Sequence, residues 1–311
     1  MENNKNKTKV NERMAGKYLD PKTDLTFKLV FGEHKDLAMS LLNALLPLAD
    51  DEQIVELEYA TPEMIPEIPG KKNSVVDVRC TDQKGRQFIV EMQMYWNRYF
   101  QQRVILNASK AIVKQLDENE NYSLIKPVYC LNLVNDIGFK SAPEEFYHDY
   151  AIVNVEHSDR IIEGLRFIFI ELPKFKPQNI AEKKMAVLWL RYLTEINKST
   201  EEVPAELLEN EQTRKAISLV EKSAMSEAQL YAYERFWMSI HDEEFHIETK
   251  YLEGIEEGRA EGRAEERKAN VKRRAEERLT NARNLKENGV PLDIIAKSLS
   301  LTDEEIAQIS R

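Results

Sequence analysis

The chain has 311 residues with 54 acidic against 44 basic side chains, a formal net charge of −10. That length suits one ordinary domain with a smaller appendage, and the acidic balance argues against broad non-specific nucleic-acid binding while leaving room for a local basic groove. Two cysteines, Cys80 and Cys130, make neither a disulfide framework nor a zinc site and read as buried residues of a cytosolic protein, and no apolar run approaches the ~20 residues of a membrane helix.

The polar, basic residues 1–16 lack the apolar core of a secretory signal and are expected to form a disordered arm. Asp20-Pro21 predicts a helix N-cap followed by proline at the first helical position. Behind it Phe27, Val30, Phe31, Leu37, Leu41, Leu42 and Leu45 recur at helical spacing, with an interruption at Gly32 and an end near Pro47. Three runs of period two predict strands at 53–60, 73–80 and 86–94, the last two joined by a turn over Thr81–Arg86. A helix is expected over 95–116. Residues 127–134 and 166–172 are nearly continuous apolar runs, expected as strands buried on both faces.

Beyond residue 181 the patterns predict helices, at 181–196 and within 205–240. Residues 251–287 are almost wholly charged residues and alanine, with Gly254, Gly258 and Gly262 spaced by four, a candidate for self-association into a homo-oligomer. The last 25 residues predict a helix–turn–helix-like pair with Gly289 as a C-terminal cap, Pro291 opening the next helix, and a capping box of Thr302 with Glu305. The order is that of an α/β sandwich followed by an all-α part. The expected divisions are an arm over 1–16, a core over 17–180, a helical extension packed on it over 181–250, and a charged helix with its helical tail over 251–311.

The 73–94 hairpin carries the chemistry. A turn centred on Lys84 sets Asp77 opposite Glu91, with Cβ atoms roughly 4.5–5.5 Å apart, and Gln93 on the face of Glu91. Two carboxylates so close repel each other, and a hard cation between them reverses the sign. The backbone carbonyl of Met92 is a further candidate ligand. The alternative is a pair of carboxylates on a solvated sheet face, and a one-residue register slip would separate them.

The segments TDLTFKLVFG (23–32), VVDV (75–78), FIVEMQM (88–94), QQR (101–103) and ELPKF (171–175) resemble, in order and spacing, the Rpn-type recombination-promoting nucleases, also described as transposases of the PD-(D/E)XK superfamily. The likeness spans about Lys17 to Ile240 and extends to glycine-punctuated charged tails. It implies a restriction-endonuclease-like core, a mixed sheet flanked by helices, and magnesium-dependent DNA cleavage in which manganese can substitute. Carried over, Asp77 and Glu91 are the acidic pair and Asp24 is a further candidate ligand, against its reading as a helix-start carboxylate. Gln93 stands where the wider superfamily has lysine. Glutamine can orient a water but cannot supply a cation or act as a useful base, so either the ion does more of the activation or a lysine or arginine from elsewhere leans in.

Residues 92–116 contain Arg98, Arg103, Lys110 and Lys114 and no acidic residue, so they are the candidate nucleic-acid face, with Arg103 of the QQR segment first. The aromatics there, Tyr95, Trp96, Tyr99 and Phe100, are expected mostly as core. Two rivals stay open: a non-catalytic DNA-binding or assembly protein with a degenerate nuclease fold, and an RNA-cleaving or toxin-like nuclease.

Overall fold

The computed structural model describes residues 16–64, 74–177 and 184–310. Most of the basic arm, and part of the expected 73–80 strand, lie outside these residues. The chain divides into two compact units between Trp237 and Met238.

In the first unit, the first helix begins later than Asp20-Pro21 predicts. Helix α1 is Asp24–Phe27, and Thr23 is its cap, its hydroxyl accepting the Thr26 N–H. Asp20 instead accepts the Lys22 N–H at 3.0 Å and pairs with the Lys22 ammonium at 2.9 Å, both side chains buried. The turn this makes delays the helix. α1 passes directly into a π-helical turn, Lys28–Gly32, whose Phe31 carbonyl accepts the Tyr59 hydroxyl at 2.8 Å. Phe31 is anchored edge-on against Trp189 and Tyr192. Helix α2, Lys35–Leu45, buries Leu37, Leu41, Leu42 and Leu45 as their spacing requires.

Strand β1 is only Leu57–Tyr59. The Asn43 side chain takes both backbone groups of Ile54, at 2.8 Å each, so the residues before Leu57 leave the ladder and Val55 is exposed. The expected 73–80 strand is broken. Strands β2, Glu63–Met64, and β3, Ser74–Val75, form a separate two-residue ladder, and the main sheet resumes at β4, Val78–Asp82. Asp77 occupies the bend between them. Strand β5, Gln87–Gln93, follows a tight turn with Gly85 at φ +78°.

Helix α3, Phe100–Val113, starts five residues later than expected. The amide of Trp96 is held by Asp136 at 2.8 Å and that of Tyr99 by Asn97 at 3.0 Å, which keeps 95–99 out of the helix. The Trp96 ring packs against Phe100, Phe139 and Phe169, so it is core. It lies so close to Gly138 that a Cβ there would sit 2.1 Å from the ring.

Strands β6, Val128–Val134, β7, Tyr147–Val153, and β8, Ile161–Glu171, complete a six-stranded sheet in the order β1-β4-β5-β6-β8-β7. β5, β6 and β8 run parallel, and the other pairs are antiparallel. β7 escapes sequence reading because it is an edge strand without a regular apolar–polar alternation, in which Asp149 forms a two-point pair with Arg166. Alternate residues of the central strands feed two cores. Phe88, Val90, Leu131, Leu133, Ile168 and Ile170 meet α2 and its neighbours, while Ile89, Cys130 and Phe169 meet Val104 and Ala108 of α3. Both cysteines are buried and unpaired. The 86–94 run therefore has no solvated face, as a sheet covered by helices on both sides requires.

Helices α4, Met185–Glu195, α5, Ala205–Glu209, and α6, Glu211–Leu219, complete this unit with the first turns of α7, Glu227–Glu287. In the second unit the end of α7 packs with α8, Leu292–Leu299, and α9, Asp303–Ser310, around Ala282, Ile295 and Ile309. Gly289 has φ +78° and its N–H meets the Lys286 carbonyl, as a helix C-cap requires. Thr302 and Glu305 exchange the two hydrogen bonds of a capping box. Among the described residues no helix is long and apolar enough to cross a membrane.

Candidate active site

The β4–β5 register is the one a turn at Lys84 predicts: Val78 pairs with Val90 and Arg79 with Ile89. The next pair would be Asp77 with Glu91, but the ladder stops one step short. In its place the Asp77 carboxylate, through Oδ2, accepts the Met92 N–H at 2.7 Å. A strand residue projects its N–H and C=O to the same side, so the Met92 carbonyl shares this edge of the sheet.

Glu91 lies on the sheet face covered by α3 and is 3% exposed. Asn107 donates to its Oε1 at 2.8 Å and Arg103 to its Oε2 at 3.1 Å. Arg103 and Asn107 are one helical turn apart, so a single face of α3 addresses both oxygens. Gln93 is at a marginal 3.5 Å from Glu91 Oε2. On the other side, Lys28 Nζ is 2.7 Å from Asp24 Oδ1 and 3.9 Å from Asp77 Oδ1.

Burial dominates the electrostatics. It pushes the Asp77 carboxyl up to about 7, reinforced by the nearby charges of Glu91 and Asp24 and opposed by the Met92 amide and Lys28. It also raises Glu91, against the pull of Arg103 and Asn107. Without a cation, these two acids hold protons more tightly than carboxylates in water.

The residues fit a hard divalent ion in their chemistry: two carboxylates whose protons burial holds more tightly than water does, beside a main-chain carbonyl. Among the described residues no cluster of three or more His, Cys, Asp and Glu side chains has a metal-binding arrangement. Two carboxylates beside a main-chain carbonyl suit an ion that takes one or two protein carboxylates and keeps waters. Asn107 Oδ1 and Arg103 Nε are buried beside Glu91 without hydrogen-bond partners, leaving unused polar capacity at the same place.

The family model described as PD-(D/E)XK nuclease family transposase matches residues 21–250, well over half of the chain. The chain belongs to that family. Its mixed six-stranded sheet with flanking helices is the PD-(D/E)XK core, and the long helix and tail are an all-α extension. No curated protein and no solved structure matches the chain.

Within this nuclease fold the sequence candidates separate into two groups. Asp77, Glu91, Met92, Gln93 and Arg103 meet at the end of β5, and Asp24 joins them through Lys28. Arg98 stands apart on the exposed approach to α3, its guanidinium 5.7 Å from the Tyr99 ring centroid. Lys110 lies in the last turn of α3. Lys28 and Asn107 were not singled out from sequence. Their signal is positional: Lys28 is four residues after Asp24, and Asn107 interrupts the apolar face of Val104, Ala108 and Ala111.

A second buried polar cluster went unforeseen. Glu171, at the end of β8, is fully buried and accepts the Gly138 and Phe139 N–H groups, His148 Nε2 at 2.8 Å and the Lys174 ammonium. Lys174 also donates to the Phe139 and Ala142 carbonyls at 2.8 Å each. Two acid–base residues of the ELPKF segment thus pin the 138–142 loop, which carries the Phe139 ring against Trp96.

Proposed function

We propose that this nuclease-family protein is a DNA endonuclease that hydrolyses phosphodiester bonds with magnesium, manganese serving as a substitute. The observation that carries the reading is geometric: the half-buried Asp77 carboxylate accepts the Met92 N–H at 2.7 Å, next along β5 from the buried carboxylate of Glu91. Asp77, Glu91 and the Met92 carbonyl would hold the ion, with Asp24 at the margin. A dication bound there would polarise the phosphate and acidify a water. The Gln93 amide, at the end of β5 beside Glu91, is placed to orient a water by hydrogen bonding. Arg103, already at the site, holds a substrate phosphate with guanidinium hydrogens not spent on Glu91, and Arg98 and Lys110 extend the cationic approach. A role in recombination or mobile-element movement goes with the transposase description of the family.

One observation favours the non-catalytic reading. Arg103 and Asn107 engage both oxygens of Glu91, so α3 already supplies a counter-charge where a metal would bind. The experiment is nicking of supercoiled plasmid by the full chain with magnesium, beside Asp77→Ala and Glu91→Ala. Nicking that needs the metal and vanishes in both variants supports the endonuclease. An inactive, folded wild type that still binds DNA supports the binding protein, and cleavage of RNA in preference to DNA redirects the substrate.

A further inference from the structure

Gln93 brings no charge to the site, and Arg103 of α3 is spent in part on Glu91, so the charge beside Asp77 comes from a third element. Among the described cations, Lys28 stands beside the metal-side carboxylate, 3.9 Å from Asp77 Oδ1. It is the first residue of the π-helical turn, a form of helix that recurs at functional sites because it re-aims side chains at a cost in regularity. The turn is locked by its neighbours: Tyr59 satisfies the Phe31 carbonyl, and Trp189 and Tyr192 grip the Phe31 ring. Lys28 is therefore presented by a rigid element.

Its side chain is 37% exposed, whereas that of Asp77 is 16% exposed. The stronger partner of Lys28, Asp24, is itself 54% exposed. An exposed i, i+4 pair of this kind is weak in water, so it yields to a better anion. Beside the pair a cavity of about 260 Å³ opens, its lining including Asp24, Lys28, Leu29, Glu33, Gln229 and Phe236. Lys28 thus faces a buried acid on one side and a space open to a ligand on the other.

We propose that Lys28 is a second cation of this site beside Arg103, contacting a non-bridging oxygen of the scissile phosphate from the π-helical turn. The role is that of a fixed positive charge and hydrogen-bond donor. It rests on the nuclease reading above.

The test uses the full chain with Lys28→Met, Lys28→Arg and the double variant Lys28→Met/Gln93→Lys. Plasmid nicking with magnesium should fall about 100-fold in kcat for Lys28→Met, the scale of losing one donor to developing charge. Lys28→Arg should stay within about 10-fold of wild type, and Gln93→Lys should restore at least about 10-fold to the methionine variant. Binding of a fluorescent DNA duplex without metal gives a second readout: the slope of log K against log salt should drop by about one for Lys28→Met, one phosphate contact. A methionine variant with wild-type turnover and slope overturns the proposal. So does equal loss in Lys28→Met and Lys28→Arg with a lowered melting temperature, since that describes a structural lysine. If the wild type does not cleave, the nuclease reading falls, and the salt slope alone decides whether Lys28 meets a phosphate.

Discussion

Arg103 Nη2 stands 3.1 Å from Glu91 Oε2 and is the cation paired with that buried acid. Arg103→Ala would leave Glu91 buried with only Asn107 and the distant Gln93 amide. Stripping one partner from a fully buried pair costs ~3–5 kcal/mol, but the arginine is 39% exposed, so a loss of about 1–3 kcal/mol is expected. Urea unfolding measures it. Glu91→Gln/Arg103→Ala should recover much of the loss, because the stranded charge is gone, and a double variant no more stable than Arg103→Ala would contradict this account.

Asp77 sets a pH dependence of stability. Its folded carboxyl holds a proton up to about 7, whereas the ordinary value is 3.8. Between these values the folded state binds more protons than the unfolded state, so stability falls as pH rises through the window. Asp77→Asn removes the effect. In EDTA the variant should melt above the wild type at pH 8, by about 1–3 kcal/mol, and converge with it near pH 4. Excess magnesium should narrow the gap at pH 8 by stabilising the wild type. Parallel melting curves across pH would refute this.

Glu171 should behave oppositely. Burial would raise its carboxyl, but Lys174, the Phe139 and Gly138 amides and His148 hold it below the ordinary range. Its stabilisation is therefore full above the unfolded value and lost as pH falls through the lower folded value. Glu171→Gln should cost roughly 3–5 kcal/mol at pH 7 by stranding the Lys174 ammonium, and less at pH 3. Chemical denaturation at the two pH values checks it.

The glycines of α7 offer a test of the self-association suggested by their spacing. A Cβ added at Gly254, Gly258 or Gly262 would meet nothing within 4 Å in the monomer. Alanine at each should stabilise the helix by about 0.8–1 kcal/mol. Sedimentation of the triple alanine variant separates two outcomes. A more helical protein with unchanged mass means the glycines face solvent, and a lost oligomer means they form the contact between copies.

Much of the site was legible because it is local. The register of β4 and β5 follows from a short turn whose Gly85 adopts φ +78°, and period two then fixes which residues neighbour one another. The Thr302–Glu305 box and the Gly289 cap were legible for the same reason: each is closed within a few residues of chain. The starts of α1 and α3 were misplaced because partners capture the local backbone, Lys22 with Asp20 in one case and Asp136 with Trp96 in the other. The β7 edge strand was missed because it pairs on one side only, with β8, and its exposed residues mix Asp149 with Tyr150, Ile152 and Val153, so no two-faced alternation marks it.

Hydrophobic periodicity and short-range turn chemistry thus determined the αβ order, the carboxylate hairpin and the helical tail, since these depend on neighbours along the chain. The tertiary structure decided which charges share the site. Arg103, Asn107 and Lys28 reach Glu91 and Asp77 from elements 12, 16 and 49 positions away in sequence, and only the packing of α3 on one sheet face and the placement of the π-helical turn beside Asp77 bring them there. Electrostatic interactions fall off with distance in space and medium, and sequence separation carries neither.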